Sequence, residues 1–149
     1  MAITSAIARS FLTDIMSAQH AAANSYKMAL YDANATLDQN TANYTSKAGT
    51  GNNELAAANG YNTAGAAMAN YTVALNGTGA NITACLTFNN VTWGTASFTA
   101  RGCMIYNDTL AGKNTVAVFD FGNNITGGGG NFTVNMPVAD FNNALVRIK

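Results

Sequence analysis

Two charged residues in the second half of the chain have the types and the spacing to do chemistry together. Asp120 lies between Phe119 and Phe121 in one alternating run, and Arg101 lies in the alternating run before it. A guanidinium facing a carboxylate across neighbouring strands forms a charge-assisted hydrogen-bonded pair. Because no nucleophile or second base is evident near either residue, we interpret Arg101 and Asp120 as a buried structural ion pair and not as an active site.

The other reactive residues are too few for the common kinds of catalytic or metal site. The 149 residues include seven acids, one histidine and two cysteines. The acids are scattered singly, which argues against a catalytic carboxylate pair. His20, Cys85 and Cys103 fall short of the ligands that a zinc site needs. We therefore expect no metal, no cofactor and no enzymatic activity, and we interpret the cysteines as buried free thiols, with a bridge geometrically possible.

The composition argues against nucleic acid and membrane partners. Charged residues make up 9% of the chain and the net charge is zero, whereas soluble proteins average about 25% charged residues. Binding to a phosphate backbone needs a basic patch, which this charge balance does not provide. No apolar run approaches the roughly 20 residues that span a bilayer, and the first residues do not form a secretion signal. A nearly neutral surface suits a protein that works inside an assembly.

A two-residue period in the sequence predicts the strands that would hold Arg101 and Asp120. Residues 97–106 and 115–121 alternate in this way and are joined by polar turn residues, which predicts an antiparallel pair at the centre of a sheet. Further runs predict strands at 25–31, 42–45, 67–75, 82–88, 132–136 and 144–148, with a hairpin over 66–88. We therefore predict one mainly β domain over 1–149, with an antiparallel β-sandwich or jelly-roll-like part over 25–149.

The first 24 residues are predicted to form a helical segment. Apolar residues recur at three- and four-residue spacing in 4–19, and Thr4 or Ser5 could cap the helix. This stripe consists of Ile7, Phe11, Leu12, Ile15 and Met16. It would pack in the core or form an interface with a partner subunit. We expect that removing residues 1–20 weakens attachment to partners more than it unfolds the β domain.

Several strings of the chain resemble one family across most of its length. They are Ser10-Phe11, KMALYDANATLD at 27–38, NELAAANGYNTAG at 53–65, VTWGTASFTARGCMIYN at 91–107 and TVAVFDFG at 115–122. The chain resembles small virion structural proteins of tailed bacteriophages. It departs from the family pattern at Ala66-Ala67, where a second glycine is usual, and in its longer four-glycine loop at 127–130.

The resemblance implies a non-enzymatic β-rich protein of the virion. A capsid decoration or cement protein is the favoured function, one that binds and bridges major capsid subunits at the capsid surface, with the helix and sheet edges as docking elements. Copies would join around a local symmetry axis, most simply as a trimer. The alternative is a tail or head-fibre component with a host-glycan-binding surface, in which Trp93 or exposed tyrosines would stack on sugars.

Overall fold

The computed structural model describes residues 2–46 and 53–149. The strands are β1 (Ala6–Ile7), β2 (Tyr26–Tyr31), β3 (Ala66–Met68), β4 (Thr72–Asn76), β5 (Thr83–Thr87), β6 (Val91–Trp93), β7 (Thr99–Asn107), β8 (Thr115–Thr126), β9 (Phe132–Val134) and β10 (Val146–Ile148). Helix α1 spans Arg9–Met16, and Gly79–Asn81 form a single 3-10 turn. Within the described residues, no helix is long and apolar enough to cross a membrane.

The largest sheet has five antiparallel strands in the order β1-β8-β7-β2-β3. Its centre is the predicted pair of β7 and β8, in which Met104 lies opposite Val118. Alternate residues of β7 and β2 face opposite sides of the sheet, as a strand requires. Cys103 and Ile105 belong to the larger apolar cluster on one face, and Met104 and Tyr106 belong to a second cluster on the other. The centre of this sheet is therefore covered on both faces.

A bulge with four residues of β8 opposite one residue of β7 interrupts the pairing of these two strands. Ala100 lies opposite Ile125, whereas Gly102 lies opposite Asp120, so residues 121–124 have only Arg101 facing them. Gly122 takes a left-handed φ of 81° inside the bulge, a conformation that glycine adopts without strain. The bulge ends the buried part of β8, because the strand is buried from Thr115 to Val118 and exposed from Gly122 onward. Bulges of this kind bend a strand and redirect its side chains.

Two smaller sheets cover one face of the large sheet. One has the order β10-β5-β4, and the other pairs β6 with β9. They meet the large sheet around the larger apolar cluster, which contains Leu86 and Val146 of the first small sheet and Trp93 and Phe132 of the second. The protein is therefore mainly β and sandwich-like, as the sequence predicted.

The strand predicted over 67–75 is divided between two sheets. Asn70 has a φ of 58° and breaks the run. The part before it, β3, pairs with β2 in the large sheet, and the part after it, β4, pairs with β5. The predicted hairpin therefore exists only between β4 and β5. The strand predicted over 42–45 is reduced to a single bridge between Asn43 and Asn114.

The N-terminal segment is not the long helix that the sequence predicted. β1 precedes α1 and pairs with β8, with Ala6 opposite Val118. Ala8 stands at the N-cap position without a side-chain cap, and the Ser5 hydroxyl instead accepts the N–H of Asp120 at 2.9 Å.

The segment is also part of the core, which is one of the two places predicted for its apolar stripe. Ile3, Ala8 and Phe11 are buried, and β1 completes one edge of the large sheet. Removal of residues 1–20 would take these side chains out of both apolar clusters. These core contacts argue against the expectation that such a truncation weakens attachment more than it unfolds the β domain, which stays a prediction.

Candidate functional site

The structure brings Arg101 and Asp120 together across the β8 bulge. The Arg101 Nε donates to Asp120 Oδ1 at 2.7 Å and Nη2 donates to Oδ2 at 3.1 Å. The two side chains are 32% and 24% exposed. The predicted pair therefore exists, but it is only partly buried, in contrast to the prediction of a buried pair. The hydrogen bonds from Arg101 and from the Gly122 N–H lower the pKa of Asp120. The pair thus ties the bulge to β7, which is a structural role.

Both cysteines are buried free thiols, as predicted. Cys103 lies in the core, where burial raises its pKa to about 12. The Cys85 Sγ donates to the Asp140 carbonyl at 3.2 Å. A thiol reacts through its thiolate, so Cys103 stays in its unreactive form near neutral pH.

His20 is a buried residue that holds the end of α1 against the large sheet. Its Nδ1 lies 3.2 Å from the Asn107 side-chain amide nitrogen, and its Nε2 lies 3.4 Å from Asp14 Oδ2. Because the amide of Asn107 can only donate, the proton of the neutral ring belongs on Nε2, facing Asp14. Burial lowers the pKa of His20 in spite of this carboxylate. Nδ1 thus has a hydrogen-bond partner in Asn107, whereas Nε2 is buried close to Asp14 without reaching hydrogen-bond geometry.

The most concentrated polar chemistry surrounds Glu54, a residue that sequence reasoning did not single out. Glu54 is completely buried. Its Oε1 accepts the Tyr61 hydroxyl and the Ala64 N–H, each at 2.7 Å, and its Oε2 accepts the Tyr44 hydroxyl at 2.6 Å. Burial and these bonds to the carboxylate raise the pKa of both tyrosines. The Glu54 side chain therefore ties the loop before β3 to the segment that carries Tyr44, and the Glu54 backbone forms an isolated bridge with Tyr31 of β2.

One signal in the sequence could have identified this centre. Glu54 is the only glutamate of the chain, and residues 55–100 contain no Asp, Glu, Lys, Arg or His. A single carboxylate between Tyr44 and Tyr61 has partners that can donate to it when it is buried. Each oxygen is already hydrogen-bonded and the side chain is not exposed. The arrangement suits an anchor and gives a substrate no access.

Trp93 does not lie where the glycan hypothesis needs it. Only 5% of the residue is exposed. Its ring packs against Tyr61 and Phe132, with centroid distances of 6.4 and 6.1 Å. Stacking on a sugar requires an exposed ring face, so Trp93 is a core residue and is not a glycan contact.

The apolar stripe of the N-terminal segment is divided between the core and the surface. Phe11 is buried, and Ile7 and Ile15 are half-buried against the larger apolar cluster. In contrast, Leu12 is 52% exposed and Met16 is 88% exposed. These two residues are four positions apart and lie on the same side of α1. We call Leu12 and Met16 the helix patch.

A second apolar surface lies on the small sheet of β4, β5 and β10. Val73 and Leu75 of β4 are 58% and 74% exposed, and Ile148 of β10 is 45% exposed. The pairing places Leu75, Ala84 and Ile148 in one row and Val73, Leu86 and Val146 in the next. Because both rows are on one face, we call Val73, Leu75, Ala84 and Ile148 the β4 face. A groove of about 190 Å³ separates it from Phe11 and Ile15 of α1.

A neutral groove of about 550 Å³ runs between the end of β8 and β9. Phe121, Ile125 and Phe132 supply its apolar side, and Asn131 and Asn135 supply amide groups. The four-glycine loop forms one end of the groove. Its backbone is fixed to the segment before β7 by the bonds Gly127 N–H to Phe98 O and Gly129 N–H to Ala96 O, at 2.9 and 2.7 Å. The four-glycine loop is thus hydrogen-bonded near both ends.

Comparisons with known proteins identify no relative of this chain. No family model, no curated protein and no solved structure matches it. Function is therefore inferred from the helix patch, the β4 face and the groove beside β9.

Proposed function

We propose that this chain is a structural protein of a bacteriophage virion, most simply a capsid decoration protein. It would bind major capsid subunits at the outer surface of the shell and bridge them. The helix patch carries the proposal. Met16 is 88% exposed on a helix whose opposite side is fixed in the core by Phe11. A preformed apolar pair of this kind can dock without the cost of ordering a loop.

The rest of the molecule supports a structural role. The charged and titratable candidates Arg101, Asp120 and His20 have structural partners, because Arg101 binds Asp120 and Asn107 binds His20. The chain also carries little charge, so copies on a crowded particle would repel one another only weakly. The resemblance to virion proteins in the strings around β7 and β8 supports the same conclusion.

Several copies would act together on the shell. The resemblance favours a trimer around a local symmetry axis, and this number stays a prediction. Binding through several copies multiplies a weak contact into a durable attachment. Two exposed side chains per copy can therefore suffice for attachment when the capsid presents the matching site repeatedly.

Substitution of the helix patch tests the proposal. The double variant Leu12→Ser/Met16→Ser should lose at least about tenfold in occupancy on shells of the matching phage, because the apolar contact is removed. Val138→Ser is the matched control, because Val138 is 76% exposed at a different place. Shell occupancy is measured by quantitative electron cryomicroscopy of reconstituted particles. Density for the chain on the tail, with none on the shell, would rule out the decoration function.

The neutral groove beside β9 favours a second candidate, a fibre-associated protein that binds a host glycan. Its aromatic and amide lining has the mixed character that uncharged sugars bind. This hypothesis replaces Trp93 with Phe121, Asn131 and Asn135 as the contacts. Titration with host surface glycans, followed by NMR, should then shift the resonances of these three residues. Shifts that an Asn131→Ala/Asn135→Ala variant leaves unchanged would refute it.

A further inference from the structure

We propose that β4 pairs with β4 of a second copy of this chain. The two strands would run antiparallel about a two-fold axis through Ala74. The sheet β10-β5-β4 would then continue across the axis into the same three strands of the other molecule. The proposal concerns self-association only and does not rest on the proposed function.

The first observation is that β4 is an open edge. It pairs with β5 on one side, and no strand lies on its other side among the described residues. Thr72, Val73, Ala74 and Leu75 are all exposed. Natural proteins protect such edges with a proline, a charged side chain or a bulge. β4, with the sequence TVALN, contains neither proline nor charge, and its pairing with β5 is regular over five residues.

The second observation is that β4 is complementary to itself. A two-fold axis at Ala74 places Val73 opposite Leu75 of the second copy, and Leu75 opposite Val73 of the second copy. Both residues lie on the apolar face, because they are two positions apart in a strand. Cross-strand pairs of apolar residues stabilise a sheet. The pairing would thus bring the most exposed apolar side chains of the small sheet into contact with those of the second copy.

The third observation is the charge of this region. Residues 55–100 contain no charged residue and no histidine. A two-fold contact brings identical surfaces together, so any charge on β4 would lie close to the same charge on the second copy. The absence of charge removes that repulsion. It also leaves this edge without a charge that could pair with a charged side chain, which favours a second copy over a charged extended segment as the occupant.

The groove beside the β4 face extends the contact beyond the edge. Stable interfaces bury about 800 Å² on each partner, more than a five-residue edge provides. Ile15 and Ile148 line the adjoining groove of about 190 Å³, and Ile148 is 45% exposed. Side chains of the second copy, where its small sheet joins the small sheet of the first, can pack towards this groove. Alone, the contact makes a dimer, and together with a threefold contact elsewhere it makes a hexamer.

A charge-pairing experiment tests the register directly. Val73→Lys/Leu75→Lys places like charges opposite each other across the proposed axis. Val73→Lys/Leu75→Glu places each introduced lysine opposite an introduced glutamate of the other copy. Sedimentation equilibrium measures the dissociation constant of both variants and of the unchanged chain. Ala67→Lys is the matched control, because Ala67 is exposed on β3, the edge of the other sheet.

The unchanged chain and the Ala67→Lys variant should form a dimer, or a multiple of two, below about 100 µM. The two-lysine variant should dissociate at least about tenfold more easily than the lysine–glutamate variant. Circular dichroism checks that all variants are folded, which the exposure of both positions favours. A monomer or a trimer for the unchanged chain overturns the proposal. Equal dissociation constants for the two double variants overturn the register at Ala74.

Discussion

β2 and β4 are both short alternating strands, yet one is buried and the other is exposed. Five of the six residues of β2 are buried, and only Lys27 is partly exposed. Four of the five residues of β4 are exposed. β2 has a neighbour on each side and apolar clusters on both faces, whereas β4 has, among the residues that the structure describes, a single neighbouring strand, β5. Alternation in a sequence thus predicts a strand, but the position of that strand in the sheet decides what is buried.

The largest expected difference separates a leucine of β2 from a leucine of β4. Leu30→Ala should lower the free energy of unfolding by about 2 to 5 kcal/mol, because Leu30 is completely buried and its loss leaves a cavity. Leu75→Ala should change it by less than about 0.5 kcal/mol. Urea unfolding at low protein concentration measures both values for the monomer. A similar loss in the two variants would show that the β4 face is covered within the molecule.

The next effect concerns the polar bonds of Glu54 in the loops beside β2. Glu54→Gln should lower the free energy of unfolding by about 1 to 3 kcal/mol, because the amide cannot accept from all three donors. Tyr44→Phe is a useful comparison, because it removes one of these bonds and leaves the carboxylate with Tyr61 and Ala64. It should cost less than Glu54→Gln. No loss in either variant would contradict the role of Glu54 as an anchor.

A smaller effect is expected from His20 as the pH falls. Burial lowers the pKa of His20 below its ordinary value of 6.5, so the unfolded chain binds the proton more readily than the folded one. The contribution of neutral His20 to the free energy of unfolding is complete above about pH 6.5. It decreases as the pH falls towards the pKa of His20 in the folded protein, and below that pKa it decreases no further. Urea unfolding between pH 5 and 8 measures it. His20→Gln should flatten this part of the profile, and an unchanged profile would exclude His20 as its source.

The smallest effect on stability is expected at the exposed pair on the β8 bulge. Arg101→Gln should leave the unfolding midpoint unchanged within error, since exposed ion pairs contribute little. It should nevertheless raise the pKa of Asp120, because the bonds from Arg101 lower it. NMR titration of the Asp120 side chain measures this shift. A constant pKa in the variant would mean that the Gly122 N–H alone holds the carboxylate.

The sequence predicted the regular central part of the fold well. The two-residue periods around Met104 and Val118 predicted the β7–β8 pair, and the run that ends at Tyr31 predicted β2. These segments are apolar runs of strand length with turn residues at their ends, so local pattern and tertiary structure agree. The facing of Arg101 and Asp120 followed from the same hairpin.

The predictions failed where a single backbone conformation decides the path of the chain. Asn70 has a left-handed backbone conformation and divides one predicted strand between two sheets. The two-residue period of residues 67–75 does not indicate this break. The helical spacing of the N-terminal stripe concealed β1, because Ile7 fits either pattern. The burial of Trp93 depends on contacts with Tyr61 and Phe132, which are distant in the chain. Glu54 binds loop residues that are 7 and 10 positions away, in segments without a strand or helix period. A local pattern encodes neither arrangement.

The uncharged run at residues 55–100 also affects how the protein meets proteases. Trypsin cuts after lysine and arginine, and glutamate-specific enzymes cut after glutamate, so neither finds a cleavage site between Leu55 and Ala100. This run carries β3 to β6, including the whole exposed β4 strand. Proteases that cut at apolar residues would find Leu75 at the surface. Within this run, the composition alone therefore prevents cleavage by one class of digestive enzyme, whereas protection from the other class depends on coverage of β4.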